Sequence, residues 1–222
     1  MLQSAKQLAV RSLAMSVLIL IALPLSANDA PLAPDSEVMD RLLAGEVVME
    51  SRESGKDGAM ASAYVLISSP VTDIWEVIIS CEAAYLFLNG LEDCEVLEDR
   101  GDYALTRQVV DKGWLMPQLE FTFETRRQPF TLMESSLVSG NLKVLTGRWD
   151  FLPIAGGTLV YHALTLKTSL PVPRWLIRRN LRRDFPDMMR CIRQISESRT
   201  TGDPSVQAAS TCPGNPVDSQ PD

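Results

Sequence analysis

The apolar positions of this chain keep three rhythms. Leu13 to Leu25 is a nearly unbroken apolar run. Val71, Ile74, Trp75 and Ile78 repeat at helical spacing, and Ile177, Leu181, Phe185, Met188, Ile192 and Ile195 form a second helical stripe. Between these stripes the period falls to two, most clearly where Leu119, Phe121 and Phe123 alternate with Gln118, Glu120, Thr122 and Glu124. The pattern predicts a strand over Gly45–Glu50, a turn at Gly55–Gly58 and a second strand over Ala59–Ser68. Ser69 as N-cap and Pro70 at the first helical position then start a short helix. A second short helix, Glu82 to Leu88, ends at Asn89-Gly90. Strands follow over Glu95–Glu98, Tyr103–Asp111, Gln118–Arg127, Phe130–Ser139, Leu142–Leu152 and Thr158–Thr168. Their connections are short, so neighbours run antiparallel. One long helix, Pro173 to about Arg199, closes the order, and Pro186 inside it predicts a kink. The sum is an α+β domain: a curved antiparallel sheet on a terminal helix, a shape that encloses a cavity.

The ends of the chain set the boundaries. Residues 1–27 read as a signal peptide, with Lys6 and Arg11 before the apolar run and Leu25-Ser26-Ala27 as a cleavage site. The run is shorter than the ~20 residues of a spanning helix, and an uncleaved membrane anchor is the alternative reading. Residues 28–44 form a lead-in, 45–199 the domain, and 200–222 a disordered tail rich in Pro, Ser, Gly and Asp. The predicted location is periplasmic or secreted. Composition adds an exclusion: the chain has 21 Lys+Arg and 28 Asp+Glu, and losing Lys6 and Arg11 leaves a net charge of −9. Such an acidic chain is a poor binder of nucleic acid. In an exported protein the four cysteines read as disulfide candidates. Cys81 and Cys94 flank a short helix and its exit, and their bridge would stabilise by about 3 kcal/mol. Cys191 with Cys212 is the less favoured pair, because the tail has little else to hold it. The cysteine spacing and the single His argue against a metal site, and no cofactor is predicted.

Several segments carry a family resemblance. Ser69-Pro70-Val71-Thr72-Asp73-Ile74-Trp75, Gly147-Arg148-Trp149, Leu152-Pro153, Gly156-Gly157-Thr158-Leu159-Val160-Tyr161 and Leu170-Pro171-Val172-Pro173 occur in an order that resembles the START-like (SRPBCC, helix-grip) superfamily. The likeness is strongest to its coenzyme-Q-binding and polyketide cyclase/dehydrase branch, and it covers roughly Gly45 to Arg199. The resemblance implies a sheet of about seven strands gripping the last helix, with a tunnel between them. It also implies binding of hydrophobic molecules such as lipids, isoprenoid quinones or polyketides. Members include carriers, receptors and a few enzymes, so fold alone leaves the chemistry open.

The candidate ligand-binding residues are Trp75, Phe121, Phe123, Trp149, His162 and Phe185. Each aromatic has two readings, cavity lining or core packing. His162 alternates with Val160 and Leu164 and so points inward, either to fix a ligand carbonyl or as a satisfied core histidine. Acid–base chemistry would need a partner such as Tyr161, Glu120 or Glu124. There is no Gly-x-Ser-x-Gly motif and no phosphate-cradling glycine loop. Trp114, Leu115 and Met116 form an apolar hairpin tip, and Trp175 stands beside Arg178 and Arg182. Both patches suit a membrane or entrance contact; the alternatives are a lid over the sheet and a solvated helix face. Three functions remain open: a binding protein for a hydrophobic ligand, acting as carrier, chaperone or sensor; a cyclase/dehydratase-like enzyme using the same cavity; or a ligand-free interaction module using Trp114 and Trp175.

Overall fold

The computed structural model describes residues 34–54, 58–114, 116–169, 172–202 and Cys212. The predicted signal segment, the turn at 55–57, Leu115, Leu170-Pro171 and most of the tail lie outside these residues. The elements run α1 (Ser36–Leu43), β1 (Val48–Ser54), β2 (Gly58–Ile67), α2 (Val71–Ile79), α3 (Cys81–Phe87), β3 (Leu91–Asp99), β4 (Tyr103–Val110), β5 (Leu119–Gln128), β6 (Leu132–Gly140), β7 (Leu142–Ile154), β8 (Gly157–Thr168) and α4 (Arg174–Thr201). The strands make one antiparallel sheet of eight, one more than the resemblance implied, in the order β1-β2-β8-β7-β6-β5-β4-β3. Its two edges are therefore β1 and β3.

Local chemistry explains the helix starts. Asp35 caps α1, accepting from the Val38 amide at 2.8 Å. Ser80 does the same for α3 through the Ala83 amide. At α2 the expectation shifts by one residue. Pro70 occupies the N-cap, and Ser69 is buried one step earlier. Its carbonyl accepts from Thr158 and its hydroxyl from Thr200, so Ser69 joins the end of α4 to the start of α2. After α3, Gly90 takes φ +72°, and a Cβ there would fall 1.9 Å from the Asp111 carbonyl oxygen. Only glycine fits that close approach.

The main core lies between β2, β7, β8 and the helices. Ala61, Ala63, Val65 and Ile67 of β2 pack with Ile74, Trp75, Val77, Phe87, Phe185, Met189 and Ile192. Helix α4 runs through Pro186 to Thr201 and ends on Gly202 in the left-handed conformation. It packs against β2, α2 and α3. Two disulfides tie this layer together. Cys81–Cys94 joins α3 to β3, as expected. Cys191–Cys212 also forms and ties Cys212 to α4. Cys212 is buried there, so the less favoured pair supplies the anchor that the tail's composition lacks.

Candidate functional site

The register of the sheet sorts its inner face into rows. In the first row Ala63, His162, Trp149, Met133 and Arg127 lie opposite one another from β2 across β8, β7 and β6 to β5. In the second row lie Ala61, Leu164, Gly147, Ser135, Thr125 and Ala104. Beyond it come the pairs Leu166–Leu145 and Leu137–Phe123. Directly opposed residues project to the same face. From β7 to β4 the middle row therefore holds only Gly, Ser, Thr and Ala between two rows of large side chains, and the sheet carries a trough there. The Thr125 and Ser135 hydroxyls bond each other at 2.9 Å along its floor, which satisfies two polar groups without closing the trough. Trp149, Leu164, Leu166, Leu137 and Phe123 around it remain half-buried. A bulge keeps this wall apolar: Phe123 pairs with Leu137 and Thr122 with Ser139, which leaves Val138 out and exposed.

One wall of the trough is an aromatic stack. The rings of Trp149 and His162 lie 3.6 Å apart at 7°, and the Phe185 ring follows 5.0 Å from His162 at 11°. His162 is 5% exposed. Its Nδ1 lies 3.0 Å from the Arg148 carbonyl oxygen. A carbonyl only accepts, so Nδ1 carries the proton and donates. Burial pushes the imidazole pKa down to about 3, and the hydrogen bond to Arg148 opposes this more weakly. The ring is therefore neutral, and Nε2 is the bare nitrogen. No described residue hydrogen-bonds to Nε2. The Cε1 beside it is 4.0 Å from where a Cβ on Gly147 would sit, so this edge of the ring faces the gap that glycine leaves. The expected role is thereby corrected in sign: a neutral His162 of this tautomer accepts a hydrogen bond and cannot fix a carbonyl.

The structure brings Trp149, His162 and Phe185 together. Phe121 and Phe123 form a second group with ring centroids 6.0 Å apart, packed with Leu119, Leu142 and Leu145. Trp75 sits elsewhere, 5.5 Å from both Phe130 and Phe151 in the main core. The acid–base partners considered for His162 all lie on the opposite face. Tyr161 packs against Tyr64 with ring centroids 4.7 Å apart and tilted at 44°, Glu120 bonds Arg107 at 2.7 Å, and Glu124 accepts from Ser136. Arg127 was not anticipated. Its side chain is 7% exposed, Nη1 donates to Asp99 at 2.9 Å, and Nε has no partner among the described residues. The Gly101 amide and then this guanidinium hold the Asp99 pKa below its usual range. A basic residue at the end of an alternating apolar series was the available signal.

At the hairpin tip, Trp114 is 93% exposed while Met116 is buried, with Asn180 Nδ2 2.8 Å from its sulfur. Lys112 reaches Asp184 of α4 at 3.0 Å and also donates to the Asn89 carbonyl. The tip is thus fastened to α4, and Met116 faces the helix. Trp175, Arg178, Arg179, Arg182 and Arg183 line a surface groove of about 540 Å³ on α4, with Trp175 60% exposed.

Residues 67–193 match the family model described as polyketide cyclase/dehydrase and lipid transport. The chain belongs to this family. Solved structures of the cyclase and lipid-transport type share its fold. The STAR-related lipid transfer protein fragment from Xanthomonas axonopodis superposes with a TM-score of 0.55 at 11% identity, covering 67% of this chain and 98% of its own. The Zhui aromatase/cyclase from a Streptomyces species gives 0.54 at 17% identity, with 64% and 95% covered. The protein TTHA0849 from Thermus thermophilus gives 0.52 at 22%, with 68% and 99% covered. No curated protein matches by sequence. As a member of the cyclase/dehydrase and lipid transport family, the chain has a fold that suits a hydrophobic small-molecule ligand, and its trough lies on the inner face of the gripping sheet.

Proposed function

We propose that this protein is exported to the periplasm and binds a hydrophobic ligand, a lipid or isoprenoid quinone, as a carrier. The observation that carries the reading is the trough of Gly147, Ser135, Thr125 and Ala104 between apolar walls, with a neutral imidazole at its side. Small side chains leave volume, flanking leucines and aromatics favour apolar contact, and few polar groups orient the guest. Export is supported by the signal-like residues 1–27 and by two disulfides, which persist in oxidising compartments. Native mass spectrometry with solvent extraction of protein purified from the periplasm tests the reading. A bound lipid or quinone is expected; protein that is always empty and takes up neither would overturn it.

A carrier must meet a membrane, and the exposed Trp175 with Arg178, Arg179, Arg182 and Arg183 supplies the chemistry for an anionic lipid surface. The positive groove is local in a chain whose overall charge is acidic, so electrostatics alone would orient it.

The family description keeps a cyclase or dehydratase as the second reading. With its pKa near 3, His162 is a weak base, and Tyr161, Glu120 and Glu124 face away from it. Such an enzyme would use the trough hydroxyls and a group supplied by the substrate. Turnover of a linear polyketide analogue by the purified protein is the measurement that would favour it.

A further inference from the structure

Of the hydrogen-bonding groups along the trough, His162 is the one whose polarity is settled by the backbone; the Arg127 guanidinium lies three strands away in the same row. His162 lies between β7 and α4, with Nδ1 committed to the Arg148 carbonyl and its ring plane held by Trp149 and Phe185. Rotating the ring would break that bond and disturb both stacks, and exchanging tautomers would set a bare Nδ1 against the Arg148 carbonyl oxygen. What remains for a ligand is the lone pair of Nε2, beside the gap over Gly147. We infer that the ligand offers a hydroxyl or N–H donor, carried on an apolar ring or chain, to Nε2 of His162, and that the site rejects the same skeleton bearing a carbonyl or ether there.

This rests on the trough as the binding site and goes one step further, to the chemical class of the guest. A buried acceptor left facing another acceptor loses its hydrogen bond and gains lone-pair repulsion. For a redox-active ring compound the selection is between oxidation states. The reduced, hydroxyl-bearing form fits Nε2; the oxidised, carbonyl-bearing form does not. The Thr125 and Ser135 hydroxyls lie in the neighbouring row, close enough in register to meet a second polar group of a long guest.

Two measurements test the inference. The chain has a single His, so long-range proton–nitrogen correlation reads its ring without ambiguity. A proton on Nδ1 and a bare Nε2 that shifts on adding 2-naphthol are expected; a proton on Nε2 would overturn the proposal. Calorimetry then compares 2-naphthol with 2-methoxynaphthalene, in which a methyl group replaces the hydroxyl proton and removes the donor. The naphthol should bind about ten- to a hundredfold more tightly. His162→Phe keeps a flat ring for the stack and should retain the ether while losing the preference. Equal affinity for the two probes, or an unchanged preference in His162→Phe, would overturn the inference and leave the binding reading standing. Failure of both probes and of a panel of lipids and quinones would remove the binding reading itself, and the inference with it.

Discussion

His162 shows how one side chain links stability to pH. The unfolded chain takes up a proton at this ring below pH 6.5, whereas the folded chain does not until about 3. Across that window the unfolded state binds more protons, so stability falls as pH falls, by about 1.4 kcal/mol per pH unit. Asp99 and Asp184, whose pKa values lie below the usual 3.8, lose their contributions only at lower pH. The melting temperature should therefore drop between pH 6.5 and about 4 in the native chain and stay nearly flat in His162→Phe; differential scanning calorimetry at several pH values checks this. Gly147 permits a second test at the same scale. A Cβ there meets Ser135 and His162 only at ordinary contact distances of 3.6 and 4.0 Å. Gly147→Leu should fill the trough and abolish ligand retention in native mass spectrometry without lowering the melting temperature. Alternation in β8 was enough to point His162 inward from sequence. Its polarity was not legible, because the tautomer depends on a carbonyl fourteen residues away in β7. The trough was hidden for a related reason: its small residues come from four strands, and only the register aligns them.

The elements were more legible than the contacts between them. Helical spacing located α2 and α4, and period-two alternation located β5, because each of these buries a single face. Strand β3 begins four residues before its predicted start, since Leu91–Cys94 carries acidic residues that mask any alternation. Phe130, predicted to open a strand, sits instead in the β5–β6 turn at φ +63°, where its ring packs on Trp75. That contact is tertiary and leaves no local signature. The joint between the β4–β5 tip and α4 is also tertiary. Asp184 meets Lys112, Arg183 and Asn89, and both members of the Lys112 pair are 17% exposed at the side chain. Burial opposes ionisation of Asp184, but the bonds to Arg183 and Lys112 prevail and lower its pKa. Asp184→Asn should leave Lys112 uncompensated and cost about 2 kcal/mol. Faster hydrogen exchange at Lys112 and Gly113 would mark the loosened tip; exchange that rises equally across the whole chain would argue against a local joint. The second disulfide acts on the same layer. Cys191→Ser, which opens a crosslink spanning 21 residues, should cost about 3 kcal/mol in denaturant unfolding.

At the scale of the whole molecule, charge is segregated. Four arginines of α4, Arg178, Arg179, Arg182 and Arg183, gather around Trp175, and Trp114 projects from a tip fastened to the same helix. Vesicles containing phosphatidylglycerol should retain the protein in co-sedimentation, and phosphatidylcholine vesicles should not. Each of Arg179→Ala and Arg182→Ala should weaken retention about fivefold at low salt, and raising the salt should release the native protein. Equal binding to neutral vesicles would count against an anionic surface as the partner.

The sheet remains open, and one of its edges is β3. Along that strand Glu92, Asp93, Glu95, Glu98 and Asp99 supply five carboxylates in nine residues. Arg107, Arg100 and Arg127 pair with Asp93, Glu98 and Asp99, so a second copy approaching to extend the sheet would set chiefly Glu92 and Glu95 of the two strands against one another. A container for greasy cargo has to stay dispersed at the concentrations at which it works, and this border repels its own kind.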